Sequence, residues 1–160
     1  MLSNSISNIE VDTISFEDLL SVLDSMPKEH LEEVPFGNFQ LELNLVEEVY
    51  TYSEQVGYGR YYAAFVGDDF AGYVTLMASE MLHHRGLMQA VVDAFYVAPA
   101  YRSGGVFNKL ITYVEQDLKL AGIRFLTVGV NPNMPHKDKV VDYLSAQGYI
   151  TTEISMTKEV

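Results

Sequence analysis

The sequence predicts a mixed α+β fold with local βαβ character, in the element order βααβββαβαβ. Two observations carry this prediction. Short runs of β-branched and aromatic residues alternate with segments of helical periodicity, and residues 91–110 join a strand to an amphipathic helix through a double glycine. The length of 160 residues, of which 48% are hydrophobic, suits a single domain over residues 1–160 with a substantial core.

The N-terminal residues predict a strand and a capped helix. Residues 9–14 form the first β-rich run, and Ser15 followed by Asp18 matches the pattern of a capping box. Pro27 limits this helix, because proline has no amide hydrogen with which to continue the backbone ladder. Between them, apolar residues recur at helical spacing, namely Phe16, Leu19, Leu20 and Leu23.

Residues 39–56 permit two interpretations. An alternation of leucines at the start of the segment permits a strand, whereas the apolar spacing across the whole segment favours a helix. We favour the helix and expect Gly57 to end it. The residues with helical spacing are Leu41, Leu45, Val49, Tyr52 and Val56.

A hairpin and a central strand follow. Residues 61–66 and 70–78 are β-rich runs joined by a short turn at residues 67–69, which is typical of an antiparallel hairpin. After a connection, residues 91–97 show little polar alternation, which predicts a strand that is buried on both faces and central in the sheet. Asp93 is the exception within this run.

The start of the next helix has the features of an anion-binding site. A helix start leaves backbone N–H groups unpartnered and carries a partial positive charge, so it can hold an anion mostly by main chain. Gly104 and Gly105 lack the Cβ atoms that would block the approach of a phosphate. Gly122 ends the helix, whose apolar face consists of Phe107, Leu110, Ile111, Val114 and Leu118.

The C-terminal residues predict a strand, a helix and a last strand. Residues 123–130 form a β-rich run, and a Pro-rich insertion at residues 131–135 separates it from a helix at residues 137–147. Residues 149–157 are predicted as the last strand, because their apolar side chains alternate with polar ones.

Residues 97–107 resemble the hallmark of the GNAT superfamily of acyl-CoA-dependent N-acetyltransferases. They are Val-Ala-Pro-Ala-Tyr-Arg-Ser-Gly-Gly-Val-Phe, and the family motif joins a Val-x-Pro-x-Tyr-Arg turn to an Arg-x-x-Gly-x-Gly/Ala helix opening. Phe107 departs from the last small residue of this motif. The resemblance implies a central mixed, largely antiparallel sheet flanked by helices, and direct transfer of an acetyl group from acetyl-CoA to a primary amine.

The resemblance also implies where acetyl-CoA binds. The cofactor would lie in a splayed gap beside the central strand, where main-chain groups of Tyr96 and Val97 would bind its pantetheine arm. Its diphosphate would meet the N–H groups at the helix start, which belong to Arg102, Ser103, Gly104, Gly105, Val106 and Phe107.

Direct transfer needs a base that removes a proton from the ammonium form of the acceptor. Asp93 is the first candidate, because a carboxylate in an apolar strand is expected to be either functional or paired. A structural pairing of Asp93 with the main chain or with Arg85 is the alternative. His83 and His84 lie in a loop, where they would either relay protons or stay inert on the surface.

Transfer also needs an acid that protonates the departing thiolate. The family pattern has a tyrosine where this chain has Leu144, and Tyr143 is adjacent to it. One residue along a helix is a rotation of about 100°, so Tyr143 does not simply inherit the role and also fits a core aromatic residue. His136, at the start of the same predicted helix, is the other candidate for the acid.

Composition narrows the classes of partner. A net charge of −12 makes nucleic acid a poor partner. The absence of cysteine excludes disulfides, thiolate metal sites and a cysteine nucleophile, and the two adjacent histidines lack further metal ligands at a suitable spacing. The sequence has neither a membrane-spanning apolar stretch nor a signal-peptide pattern, so we expect a cytoplasmic protein, without a metal and away from membranes.

Several alternatives stay open. An inactive GNAT-like binding or virion-associated protein would keep the fold, and residues 148–160 resemble the end of GNAT-like proteins encoded by tailed bacteriophages, which would place the protein in the host cytoplasm. An unrelated nucleotide-binding domain is disfavoured, because the sequence lacks the P-loop and Rossmann patterns. The acceptor, a small-molecule or peptide amine, and the oligomeric state, a homodimer included, are undetermined. Residues 79–88 and 131–135 are the expected walls of the acceptor site.

Overall fold

The computed structural model describes residues 8–26, 44–134 and 136–160. The predicted limit at Pro27, residues 39–43 of the second predicted helix and Pro135 of the insertion lie outside these residues. The elements in chain order are β1 (Ile9–Ile14), α1 (Phe16–Ser25), α2 (Glu47–Gln55), β2 (Gly59–Val66), β3 (Asp69–Glu80), β4 (Met88–Val97), a 3-10 helix (Pro99–Tyr101), α3 (Val106–Leu120), β5 (Phe125–Val128) and α4 (Lys137–Ala146).

One mixed sheet carries the described strands in the order β1-β2-β3-β4-β5. The first four pair antiparallel in sequence order, and β5 pairs parallel to β4 after the crossover through α3. The predicted mixed, largely antiparallel sheet flanked by helices is therefore confirmed. The predicted cap of α1 is also present, since Ser15 Oγ accepts a hydrogen bond from the Asp18 amide at 3.1 Å.

The second helix is shorter than predicted within the described residues. It begins at Glu47, and residues 44–46 have no regular secondary structure. Apolar spacing alone does not distinguish a helix from an irregular segment whose side chains reach a core, and Leu45 is an example, because it is half-buried outside the helix.

The prediction of a last strand at residues 149–157 is wrong, because residues 149–160 have no regular secondary structure. The alternating apolar residues are exposed, with Ile150 at 80%, Ile154 at 86% and Met156 at 93%. An alternating pattern makes a strand only where a neighbouring backbone and a core face are within reach. Instead, the Tyr149 hydroxyl donates to Glu115 Oε1 at 2.6 Å and directs the start of this segment to the surface of α3.

Each face of the sheet carries its own core. The face below α3 is mainly aliphatic, and α3 packs there through Val106, Leu110, Ile111, Val114 and Leu118. The opposite face, below α1, is aromatic and contains Phe16, Tyr61, Tyr73 and Tyr96. Fully buried side chains of this size each stabilise the fold by about 1.5–3 kcal/mol. The two cores therefore hold α1 and α3 on opposite sides of β4.

A polar clasp fixes α3 against the sheet. Asp117 of α3 accepts hydrogen bonds on Oδ2 from Arg60 Nη1 and from the Tyr62 hydroxyl, each at 2.7 Å. Burial, and then the bond to Asp117, raises the pKa of Tyr62 above its ordinary value, so the hydroxyl stays a donor. The clasp sets the position of α3 along β2 and hence the place of its N-terminus at the end of β4.

Candidate functional site

A β-bulge in β4 centres on Asp93. Thr75 of β3 pairs with Ala94, while the next residue, Leu76, pairs with Val92, so Asp93 is an extra residue without a partner in the register. A bulge bends its strand and turns a side chain away from the regular alternation. Asp93 and Ala94 consequently both line the α1 side of the sheet, whereas Val92 packs into the core below α3.

The other edge of β4 opens where the bulge occurs. Pairing with β5 covers only residues 89–92 of β4 and ends at the pair of Val92 with Val128. Residues 93–97 of β4 have no β5 partner in this register, over a length of about 13 Å at the usual strand rise. The sequence resemblance predicts the pantetheine arm beside this part of β4, and that placement stays a prediction.

The predicted burial of residues 91–97 on both faces is wrong at Val91, and Asp93, the polar exception in this run, is open as well. Val91 is 41% exposed and Asp93 is exposed as well. An apolar run predicts burial from composition, but β5 is short and the bulge turns one side chain outward, so part of the strand stays open.

The N-terminus of α3 lies at the end of β4 and is open. Gly105 adopts the left-handed conformation with φ of 86°, which glycine tolerates best. No side chain of the described residues caps the helix, and the amide of Lys109 is the one that donates back to Gly105 O, at 3.0 Å. A Cβ built on Gly105 would meet no atom within 4 Å, so no described protein atom crowds the backbone at this position.

Two of the predicted amide donors are engaged within the protein. The Arg102 amide donates to Pro99 O at 3.5 Å, and the Gly104 amide donates to Tyr101 O at 3.0 Å. Amides that donate inside a tight turn are aimed away from a ligand. The candidate donors at the helix start therefore narrow to Ser103 and the residues from Gly105 onward.

Arg102 is tied to the end of β4. Its Nε donates to Val97 O at 2.9 Å, and its guanidinium lies 5.8 Å from the centroid of the Tyr96 ring. The Ala98 amide donates to Ala71 O on the β3 side, so by the alternation of a strand the main-chain groups of Val97 face the splayed edge and those of Tyr96 face β3. The main chain of Val97 is therefore the one that faces the splayed edge, whereas the Tyr96 ring is buried in the aromatic core.

Asp93 is held by two hydroxyl groups. The Tyr50 hydroxyl donates to Asp93 Oδ2 at 2.7 Å, and Thr75 Oγ1 lies 3.3 Å from the same oxygen. Both bonds therefore end on Oδ2. Among the described residues, Asp93 pairs with neither Arg85 nor a main-chain amide, which were the two partners predicted for a purely structural role.

An aromatic frame supports Tyr50 and, through it, Asp93. The rings of Phe16 and Tyr50 stack at a centroid distance of 4.9 Å with an interplanar angle of 7°. The Tyr61 hydroxyl donates to Tyr50 O at 2.8 Å. Burial, followed by the bond to Asp93, raises the pKa of Tyr50 above its ordinary value, so its hydroxyl remains a donor to Asp93. Burial also raises the pKa of Tyr61 to about 12.

Tyr143 lies on the other face of the sheet. Its ring contacts Phe107 edge to face at a centroid distance of 5.6 Å, and Phe107 in turn packs against Phe95 of β4 at 5.2 Å. Phe95 packs on the core below α3, beside the splayed edge. Tyr143 and Asp93 therefore approach this part of β4 from opposite faces, and Phe107 replaces the small residue of the family motif with a ring that joins α3 to α4.

His136 and Leu144 occupy the two ends of the same helix. His136 precedes α4 with φ of 60°, is exposed, and makes no capping bond through its side chain. Leu144, at the position of the family's tyrosine, is buried at 6% exposure. The structure places no hydrogen bond between His136 and Asp93 or Tyr143 among the described residues, so these three predicted groups do not form one connected network.

Residues 79–88 and 131–135 stay a prediction as walls of the acceptor site, and Pro135 lies outside the described residues. Of residues 79–88, the loop is confined to residues 81–87 between β3 and β4, and none of these residues lines the cleft at Asp93. His83 and His84 are exposed within it. Within the described ranges, no three His, Asp or Glu side chains cluster as metal ligands would.

Three residues of this cleft carry no functional signal of their own in the sequence. Phe16, Tyr50 and Thr75 lie on α1, α2 and β3, and they converge because β3 and β4 pair in the observed register. The available signal was indirect, since a lone carboxylate in an apolar strand requires polar partners. Which residues supply them depends on the bulge.

Comparison with protein families identifies the class. Residues 23–137 match the model of the acetyltransferase (GNAT) family, and the chain belongs to this family. It is an acyl-CoA N-acyltransferase with acetyl-CoA as its acyl donor. No curated protein matches the chain. None of the described helices is both long and apolar enough to cross a membrane.

Solved structures share the fold. An aminoglycoside acetyltransferase from an uncultured soil metagenomic sample, in complex with trehalose, is 16% identical, and the match covers 95% of each chain at a TM-score of 0.69. AAC(6')-Iy in complex with the bisubstrate analogue CoA-S-monomethyl-acetylneamine is 15% identical, with 96% of this chain and 99% of that chain covered and a TM-score of 0.68. A ribosomal-protein-alanine N-acetyltransferase from Brucella melitensis biovar Abortus 2308 is 15% identical, with 96% and 99% covered and a TM-score of 0.64.

Proposed function

We propose that residues 1–160 form one domain that transfers an acetyl group from acetyl-CoA directly to a primary amine at the splayed edge of β4. The observation that carries this proposal is a coincidence of three features: the bulge at Asp93, the end of pairing with β5, and the open N-terminus of α3. Together they offer a groove with an anion-binding end and a carboxylate end.

The donor end of the groove is built mainly from main chain. The N–H of Val97 faces the splayed edge, and the amides from Gly105 to Phe107 lie at the uncapped start of α3. Arg102 adds a positive charge that Val97 O holds beside Tyr96. Ser103 is exposed at the same turn, where its hydroxyl is within the reach of a phosphate. These groups fit a diphosphate with an extended arm that follows β4 towards Asp93.

Asp93 is the proposed base at the inner end of the groove. Acetyl-CoA supplies an activated acyl group, and the acceptor must lose a proton before its nitrogen can form the new bond. Asp93 is exposed to the cleft, and Tyr50 and Thr75 hold Oδ2 so that the second oxygen can accept the proton of an ammonium group. The bulge provides this orientation, because it turns Asp93 towards the α1 side.

Tyr143 is the proposed acid on the opposite face. Its phenol lies near Phe107 and Phe95, on the α3 side of the splayed edge, where it can donate a proton to the sulfur that leaves. His136 is the second proposal for this role, since it is exposed at the N-terminus of the same helix. Both groups would have to reach the same thioester carbon through the splayed edge, the base from the α1 side and the acid from the α3 side.

The experiment measures release of free thiol from acetyl-CoA with a panel of primary amines, together with acetyl-CoA binding by calorimetry. The wild-type chain should show saturable binding of acetyl-CoA and amine-dependent release of free thiol. The variant Asp93→Asn should keep binding and lose release. Binding without release for every amine would instead indicate a cofactor-binding protein that is catalytically inactive, for which Phe107 and Leu144 are the features in favour.

A further inference from the structure

The last turn of α4, which carries Tyr143, contributes little to the hydrophobic core. Leu144 is the one buried residue that α4 contributes among the described residues. Tyr143 is half-buried, and its ring meets Phe107 of α3 edge to face at a centroid distance of 5.6 Å. Apolar contacts have no preferred direction, so these two do not by themselves fix the rotation of a helix end. A second point of attachment would fix the orientation of the Tyr143 phenol.

The chain after α4 reverses in a Schellman motif that returns Tyr149 to this turn. Gly148 adopts the left-handed conformation with φ of 91°. The Tyr149 amide donates to Leu144 O at 3.0 Å. The Gly148 amide donates to Ser145 O at 3.1 Å, which completes the pair of bonds that defines the motif. The backbone thus holds Tyr149 next to the turn that carries Tyr143.

The side chain of Tyr149 connects this turn to α3. Its hydroxyl donates to Glu115 Oε1 at 2.6 Å, a short bond of the kind that a phenol makes to a carboxylate. Burial raises the pKa of Tyr149 above its ordinary value, the bond to Glu115 raises it further, and so does the neighbouring Tyr143. The Tyr149 hydroxyl therefore stays a donor to Glu115, and the two phenols are near enough to interact electrostatically.

α3 consequently contacts the end of α4 at two separate points. Phe107 lies in the first turn of α3, and Glu115 lies about 12 Å further along the axis at the usual helical rise. Phe107 contacts Tyr143, and Glu115 binds Tyr149. Two contacts at this separation fix both the position and the rotation of the helix end, whereas the ring contact alone would fix only its position.

Building on the proposed function, we propose that Tyr149 and Glu115 are positioning residues for the reaction: their hydrogen bond orients the end of α4 so that the Tyr143 phenol stays on the α3 side of the splayed edge. Neither residue touches a reacting atom in this role. They act through Tyr143, since a proton donor works efficiently only from a defined position. Loss of the bond should therefore slow transfer and leave the affinity for acetyl-CoA unchanged, because its proposed diphosphate site is at the start of α3.

The test measures kcat and the KM for acetyl-CoA in a double-mutant cycle of Tyr149→Phe and Tyr143→Phe. The assay is release of free thiol with the primary amine that the wild-type chain acetylates fastest. Tyr149→Phe keeps the ring and removes the hydroxyl that binds Glu115, so kcat should fall by about 5-fold to 10-fold while KM changes by less than about 2-fold. In the Tyr143→Phe background, the same substitution should change kcat by less than about 2-fold. An equal loss of kcat in both backgrounds would indicate a purely structural role and overturn the inference.

Substitutions of Glu115 test the other side of the bond. Glu115→Gln retains an acceptor oxygen and should keep kcat within about 3-fold of wild type, whereas Glu115→Ala should match Tyr149→Phe. Tyr62→Phe is the matched control, because it removes a 2.7 Å bond from a tyrosine to Asp117 of α3 on the side of the sheet. Arg60 still binds Asp117 in this variant. The urea midpoint should fall in Tyr149→Phe and in Tyr62→Phe, but kcat should fall only in Tyr149→Phe, and equal losses of kcat would contradict the inference.

The outcomes separate this inference from the proposed function. A loss of kcat in Tyr143→Phe without any loss in Tyr149→Phe would overturn the inference and leave Tyr143 as the proposed acid. An unchanged kcat in Tyr143→Phe would overturn the inference together with that acid, while thiol release by the wild-type chain would still support the N-acetyltransferase function. Binding of acetyl-CoA without thiol release for every amine would overturn the proposed function and the inference together.

Discussion

The two ends of the proposed groove are built in different ways. The proposed donor end consists of one continuous segment, from Val97 through Gly105 to the first turn of α3, and most of the groups that it would offer are main-chain amides. The acceptor end gathers side chains from four separate elements around Asp93. The donor end therefore depends on backbone conformation, whereas the acceptor end depends on how the sheet and helices pack.

This contrast has a functional meaning. Amides at a helix start bind a diphosphate whatever the side chains are, provided that no Cβ intervenes. Side chains that converge from α1, α2, β3 and β4 can change one at a time and so alter the acceptor while the backbone stays the same. Substitutions at the two ends should accordingly affect different kinetic quantities.

The largest effect is expected at the acceptor end from Asp93→Asn. The amide cannot take a proton from the ammonium acceptor, so kcat/KM for the amine should fall by about 100-fold to 10,000-fold. Affinity for acetyl-CoA, measured by calorimetry, should stay within a factor of about two because the donor end is unchanged. Asp12→Asn on the exposed surface of β1 is the control and should leave both quantities unchanged. Full activity of Asp93→Asn would remove Asp93 from the mechanism.

A smaller loss is expected from Tyr143→Phe on the opposite face. The ring keeps its contact with Phe107, so the fold should be retained while kcat falls by about 10-fold to 100-fold through loss of the proton donor. Tyr58→Phe is the control, since Tyr58 lies between α2 and β2 and is 50% exposed. If Tyr143→Phe retains kcat, His136→Gln is the next variant to measure.

At the donor end, Gly105→Val should weaken acetyl-CoA binding by at least about 10-fold, because the new side chain would fill the space open to the anion. Gly122→Val is a matched control at the other end of α3. Both glycines have positive φ, 86° and 75°, and neither Cβ would meet an atom within 4 Å. Both variants should lose about 1–2 kcal/mol of stability from the left-handed conformation, whereas only Gly105→Val should lose affinity. Equal affinity for acetyl-CoA in the two variants would contradict the proposed diphosphate site at the start of α3.

Tyr50→Phe should produce a more modest change at the acceptor end. It removes the 2.7 Å bond to Asp93 but keeps the ring stacked on Phe16, so kcat/KM for the amine should fall by about 10-fold, as for loss of one hydrogen bond to a charged group. Tyr62→Phe is the matched control, because it removes a hydrogen bond of the same length to Asp117, which holds α3 against the sheet. Chemical denaturation should show a loss of stability in both, while initial rates should fall only in Tyr50→Phe.

The smallest effect is a dependence of stability on alkaline pH. Burial raises the pKa of Tyr61 to about 12 in the folded state, against about 10 in an unfolded chain. A raised pKa means that the folded state favours the neutral phenol, so this stabilisation is fully present below pH 10 and is lost as the pH rises through 12. The urea midpoint should therefore be insensitive to this group between pH 8 and 9 and should fall above pH 10. Tyr61→Phe should reduce that fall, and an unchanged slope would contradict the assignment.

Much of the donor end and of the fold was predictable from local sequence. The capping pattern at Ser15, the hairpin turn around Gly67 and the double glycine before α3 each act over a few residues, and the structure contains all three. The prediction of a last strand is wrong because a strand depends on residues that are distant in the sequence. Alternation at Ile150 to Met156 sets a preference, but a strand forms only against a partner, and the chain after Tyr149 does not pair with the sheet.

By itself, the sequence determined the order of the elements up to α4, the double glycine before α3 and the presence of one carboxylate in the central strand. Tertiary structure alone decided which way Asp93 points, which hydroxyls hold it and that Tyr143 lies on the other face. The physical reason is the range of the interactions. Backbone conformation and helix starts are set by neighbouring residues, whereas the bulge at Asp93 and its bond to Tyr50, 43 residues away in the chain, exist only after the strands have paired and the helices have packed.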